Sequence, residues 1–201
     1  MADAVSPSAI SEGKIGKFLE LQAAALRKSG LPGAETQQVL ETQGGALADE
    51  FVTAVRKRVE AISSLITRIV RVVRSRTPQA ALEATSRIQY VDKAVVKTMP
   101  NGEGDEATLY FFKADRYLSD PDLEKEYELR GLKAADPYSL AAVNEADPAF
   151  ADGHPNGTHW KDADDRWCYA TFHRWLGERS VNINRSVSEW SVGWWFAGVR
   201  K

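Results

Sequence analysis

Three histidines and the only cysteine of the chain fall close together, His154, His159, Cys168 and His173, in the order H-x4-H-x8-C-x4-H. Zinc takes these ligand types, but structural zinc sites favour tighter paired spacings. A thiolate at Cys168 activated by His173 is the second chemistry to consider. The two residues lie an odd number apart in a stretch with strand character, so their side chains point to opposite faces. Cys168 therefore reads as a small buried residue, and the histidines as loop or surface groups. The acids Asp162, Asp164 and Asp165 in "DADD" resemble part of a calcium loop, but the glycine and the distal bidentate glutamate are missing. "NGEGDE" lacks the lysine and the strand-to-helix setting of a phosphate loop. No catalytic constellation emerges, so the expectation is a protein that is not an enzyme and carries no cofactor and no metal. A small hydrolase or metal enzyme using His154, His159 or His173 is the reading that a zinc analysis would test.

The elements around these residues divide the chain in two. It has 201 residues, with 26 Lys+Arg against 28 Asp+Glu, so no global field points to nucleic acid. One cysteine excludes an intrachain disulfide. No apolar run reaches the roughly 20 residues of a membrane span. The opening "MADAVSPSAISEGK" lacks the basic-then-apolar order of a signal peptide, which makes a cytoplasmic location the default expectation. All six Trp lie between Trp160 and Trp195, whereas the first hundred residues hold only Phe18, Phe51 and Tyr90 as aromatics.

In the amino-terminal half, Ile15, Phe18, Leu19 and Leu26 form a helical stripe that Gly30, Pro32 and Gly33 stop. A second helix is expected from about Glu35, pausing at Gly44-Gly45 and running to about Arg76 before Thr77-Pro78. Within it Val52, Val55, Val59, Ile62, Ile66, Ile69 and Val73 are spaced as a heptad seam, which suits a coiled coil and a homo-oligomer through residues 52–73. Packing of this seam on the carboxyl half is the competing reading. Arg56, Lys57, Arg58, Arg68, Arg71, Arg74 and Arg76 face one acid, Glu60, and fit either an anionic surface or a solvated face.

The carboxyl half reads as an α+β head. "ATLYFFKADRYL" is an aromatic-rich strand. Ser119 or Asp120 caps a helix opened by Pro121 and ended by Gly131, and Asp136 with Pro137 repeats the device up to Asp147-Pro148. "ADGHPNGTHWKDADDR" reads as loop and "WCYATFHRW" as strand. From Ser180 to Asn184 the side chains alternate, with Ser180, Asn182 and Asn184 facing water and Val181 and Ile183 facing the core. "SVSEWSVG" reads as loop, and "WWFAGVRK" as a terminal strand able to pair with the first strand of the head.

The tail "WCYATFHRWLGERSVNINRSVSEWSVGWWFAGVRK" resembles the variable region of proteins diversified by diversity-generating retroelements. The block from "DLEKEYELRGL" to "KDADDRW" resembles the constant part of one bacterial branch, so the likeness covers roughly Arg76 to Lys201. The resemblance implies a C-type-lectin-like fold at 77–201 on a helical stem at 1–76, with a variable region of about 171–193. It also implies a non-catalytic function, binding a protein or other macromolecular ligand. In that family a template repeat is copied with errors at adenines, and Asn-type codons then yield many residues but never Lys, Glu, Gln, Met or Trp. The compliant positions are His173, Leu176, Gly177, Ser180, Asn182, Asn184, Ser186, Val187, Ser188, Ser191, Val192 and Gly193. They are the expected ligand-binding residues, with Trp175, Trp190, Trp194 and Trp195 as the supporting frame. Glu189 is not reachable from such a codon and is set aside. The rival reading is a structural or assembly protein whose seam and Trp-rich head both make subunit contacts.

Overall fold

The computed structural model describes residues 11–201 apart from 187 and 188, and the side chains of Arg56, Lys57 and Glu60 also lie outside the described residues. In chain order the elements are α1 (Glu12–Lys28), α2 (Gly33–Ser63), β1 (Ile66–Arg71), α3 (Pro78–Glu83), β2 (Ile88–Val91), α4 (Lys93–Val96), β3 (Glu106–Lys113) and α5 (Asp120–Leu129). They continue as β4 (Leu132–Ala134), α6 (Pro137–Ala146), α7 (Phe150–Gly153), β5 (Asn156–Lys161), β6 (Trp167–Trp175), β7 (Glu178–Arg185) and β8 (Trp195–Arg200). Two compact units divide the chain, Met1–Ala54 and Val55–Lys201.

In the first unit α1 buries no residue, and Phe18 stacks on Phe51 with ring centroids 5.0 Å apart. The second helix runs through Gly44-Gly45 without a break but stops at Ser63, so the expected continuation to Arg76 and the heptad seam across 52–73 are corrected. From Ile66 onward the chain is β1, paired antiparallel with β3. Its β-branched residues suit a pleated surface, and the inward residues are Ile66 and Val70, partly buried, and Val72, buried, at even spacing. Ile66, Ile69 and Val73 fit a helical period while Ile66, Val70 and Val72 fit a strand, and the chain follows the second pattern in pairing with β3. The stem boundary expected at 76 accordingly gives way to a unit that begins at Val55. The expected basic helix face is dispersed in the same way. Arg68 lies over the Phe150 ring, Arg74 pairs with Asp136 at 2.6 Å, and Arg76 pairs with Glu145.

The second unit is mixed α+β, built on one eight-stranded sheet in the order β1-β3-β8-β5-β6-β7-β2, with β4 also on β8. The strand expected within 107–118, β3, does pair with the last, Phe111 opposite Ala197. Helices α3, α4, α6 and α7 cover one face of the sheet over Leu109, Phe111, Phe172, Val181 and Ile183. The other face is covered by α5 only in part, over Phe112, Leu132, Trp190 and Phe196. Both helix caps expected from sequence are made, Ser119 accepting from the Asp122 amide and Asp136 from the Ser139 amide.

The stretch read as loop, 151–166, is corrected by α7 and β5. β5 is a central strand, buried from Asn156 to Trp160 and hidden from hydropathy because its side chains are polar. Each finds a partner far along the chain. Asn144 donates to Asn156 Oδ1 at 2.9 Å, and Thr158 donates to the Ala135 carbonyl at 2.6 Å. Among the described residues, no helix is long and apolar enough to cross a membrane.

Candidate functional site

The hairpin of β6 and β7 sets His173 opposite Ser180, Thr171 opposite Asn182 and Tyr169 opposite Asn184. On the far side of β7, β2 runs parallel and places Tyr90 opposite Asn182. Since strand side chains alternate, all of these groups share one face with Trp175 and Glu178, and their neighbours Phe172, Val181 and Ile183 enter the core on the other.

The covering of this face ends at a pinned segment. Trp190 is buried, exchanges backbone hydrogen bonds with Leu118, and donates its indole N–H to Asp120 Oδ1 at 2.9 Å. Its ring has room because Gly157 lies beneath it: a Cβ there would stand 3.0 Å from Thr171 Cγ2 and 3.4 Å from the indole. Four residues on, Ala114 binds the Trp194 carbonyl at 2.8 Å and accepts from the Gly193 amide at 3.1 Å. The stretch read as too polar for core therefore carries a core residue, Trp190.

Asp120 also accepts from His159, whose Nδ1 lies 2.8 Å from Oδ1, while His159 Nε2 lies 2.7 Å from Glu124 Oε1. Burial opposes the charged imidazole, yet these two carboxylates outweigh it and hold its pKa above the ordinary histidine value. Burial likewise opposes the Asp120 carboxylate, and the bonds from His159, Ser186 and Trp190 win, so its pKa falls below the usual range. The expectation of a loop or surface histidine is thus corrected for His159, which is packed flat on Trp167 at 4.5 Å between centroids.

Beyond Trp190 and Trp194 the face is bare and forms two shallow hollows. One of about 340 Å³ lies between Tyr169, Asn182, Glu189, Trp190 and Trp194. The other, about 470 Å³, lies between Tyr90, Leu176, Glu178 and Ser180. Both are lined by His173, Trp175 and Asn182.

Most of the expected binding residues converge here. His173 and Asn182 are half-buried at the centre, Asn184 is exposed, and Ser186 lines the first hollow while bonding Asp120. Ser191 accepts from the Trp194 indole at 3.1 Å, Val192 is exposed, and Gly193 holds φ +96°. Leu176 and Gly177 form the two-residue turn between β6 and β7, both at positive φ. Val187 and Ser188 lie outside the described residues. Ser180 is corrected: it is 3% exposed, with its hydroxyl 3.1 Å from His173 Nε2. β2 runs alongside it, Ile88 opposite Ser180, an edge pairing that alternation within β7 cannot reveal.

Of the expected frame, Trp195 packs into the opposite core, edge-on to His154, and Trp175 is 68% exposed. Tyr90, Tyr169, Thr171, Glu178 and Glu189 belong to the face as well. The parity of "WCYATFHRW" signals Tyr169 and Thr171; nothing local signals Tyr90.

A serine beside a histidine is also the geometry of a nucleophile and its base. Here His173 Nδ1 has no partner to hold a tautomer, and Ser180 is buried. Burial, and then the Arg87 charge, lower the His173 pKa, so the ring is neutral at pH 7. Among the described residues no group of three His, Cys, Asp or Glu is placed to hold a metal ion. The arrangement is suited to contact: exposed aromatics around a neutral polar floor. No protein-family model, curated protein or solved structure matches the chain.

Proposed function

We propose that this is a non-catalytic ligand-binding protein whose head is C-type-lectin-like and whose open sheet face is diversified by a retroelement. One observation carries the reading. Residues compatible with adenine-mutated Asn-type codons cluster at the bare end of one sheet face and in the segments bordering it, while Trp190 and Phe196 among them are buried. Side chains at Leu176, Asn184, Ser191 and Val192 can then change with little consequence for packing.

The decisive test is genetic. The coding DNA should have a near-copy of the segment for residues 171–193, differing almost only at adenines, beside a reverse transcriptase gene. Absence of both sinks active diversification. A library varied at Leu176, Asn184, Ser191 and Val192 tests the protein side, since its members should keep the parent melting transition. The rival assembly reading predicts instead that Asn182→Ala with Asn184→Ala dissociates an oligomer.

Self-association accompanies the first reading as a source of avidity. It is favoured by Val52, Val55, Val59 and Ile62, which are all exposed on α2. Val59→Asp should shift the sedimentation of the full chain toward the monomer if that stripe is the contact.

A further inference from the structure

The two hollows differ from the rest of the head in charge and in unused hydrogen-bonding capacity. Among the described residues their lining contains carboxylates at opposite ends, Glu178 and Glu189, and no lysine or arginine. Arg87 sits on the other side of the sheet over Phe172, tied to Asn144 and to the carbonyls of His173 and Pro148. Arg174 and Arg179 are likewise occupied, by Asp152. The rim is aromatic, with Trp175 and Tyr90 more than half exposed.

Beneath that rim two polar atoms are shielded from water and unpartnered, Asn182 Oδ1 and His173 Nδ1. Asn182 Oδ1 is an acceptor. In the tautomer whose Nε2–H donates to Ser180, the neutral ring of His173 offers Nδ1 as an acceptor too. A buried acceptor without a donor is destabilising, so an occupant that supplies donors gains what the free protein lacks.

The occupant must then be cationic, rich in donors, without acceptors of its own to satisfy, and flat enough to slide between rings. Guanidinium meets all four conditions. It is planar, carries five donors and no acceptor, and stacks on indole, whereas an ammonium is a compact, strongly hydrated point charge. We infer that this face recognises an arginine side chain presented by a protein partner, with Trp175 and Tyr90 as the stacking surface, Asn182 and His173 as acceptors, and Glu178 and Glu189 as counter-charges. This rests on the reading of the face as a binding surface and specifies what it binds in this particular chain.

The test uses the full chain and N-acetyl-arginine-methylamide as probe, followed by the ring resonances of His173 and the indole N–H resonances of Trp175 and Trp194. Saturable shifts at millimolar probe are expected, typical of one side chain binding alone. The citrulline counterpart, equally flat but neutral, should bind at least about tenfold more weakly, and the lysine counterpart should also be weaker. Glu178→Gln with Glu189→Gln should weaken the arginine probe about tenfold and leave the citrulline probe unchanged. Equal binding of arginine and citrulline, an unchanged affinity in the double variant, or no shift at roughly 10 mM arginine probe overturns the inference. The library at Leu176, Asn184, Ser191 and Val192 separates the two levels. If its members fold and arginine does not bind, only the ligand class is wrong; if its members fail to fold, the binding face itself is wrong.

Discussion

Two histidines stand on the same face of the same sheet, on neighbouring strands, and their surroundings could hardly differ more. His159 is held between two carboxylates and charged, with both nitrogens occupied. His173 is neutral, with one nitrogen on Ser180 and the other empty. The satisfied end of the face is where α5 and Trp190 close over the sheet. The unsatisfied end is where the sheet meets solvent. Hydrogen bonding is saturated around His159 at the covered end of this face and unsaturated around His173 at its open end.

That contrast breaks most readily at Asp120. Asp120→Ala removes the acceptor shared by Trp190, His159 and Ser186 and leaves a buried imidazolium short of a partner, so a loss of about 3–5 kcal/mol in urea unfolding is expected. A loss below about 1 kcal/mol would mean that the clamp is ornamental. Gly157→Ala should cost about 1–3 kcal/mol by the same assay, because its methyl meets Thr171 and the Trp190 ring.

Next come the histidines themselves, whose pH responses have opposite sign. His159 titrates above its unfolded value of 6.5, so its contribution is whole below that pH and lost as pH rises through the raised folded value. His173 titrates below 6.5, so its contribution is whole above that pH and lost as pH falls through the lowered one. In chemical unfolding across pH 5 to 9, His159→Gln should flatten the alkaline limb and His173→Gln the acid limb. The same limb responding to both would erase the distinction. At the turn, Leu176 sits at φ +48°, a left-handed conformation that costs a branched side chain about 1 kcal/mol, so Leu176→Asn should raise the melting midpoint slightly. Asn184→Ala and Ser191→Ala should each stay within about 0.5 kcal/mol of the parent.

Local signals were legible in the sequence and distant ones were not. Ser119 and Asp136 declare their helices because a cap is satisfied within three residues. β6, β7 and β8 declare themselves by alternation. β5 does not, since Asn156, Thr158 and His159 become core-compatible only through Asn144, Ala135 and Asp120. β1 is masked because a helical set, Ile66, Ile69 and Val73, overlaps the strand set Ile66, Val70 and Val72. Of the face, the row through His173 and Asn182 follows from parity, whereas Tyr90 arrives on a parallel edge strand from far upstream.

The pins at Trp190 and Trp194 have a bearing on chain entropy. Only Ser191, Val192 and Gly193 lie between them, and the backbone there is ordered by bonds that Leu118 and Ala114 make to main-chain atoms. The cost of ordering, about 1–2 kcal/mol per residue, is therefore met by groups that no side-chain substitution can remove. Whatever side chains occupy positions 191 and 192, the segment draws on the same, already shortened list of conformations.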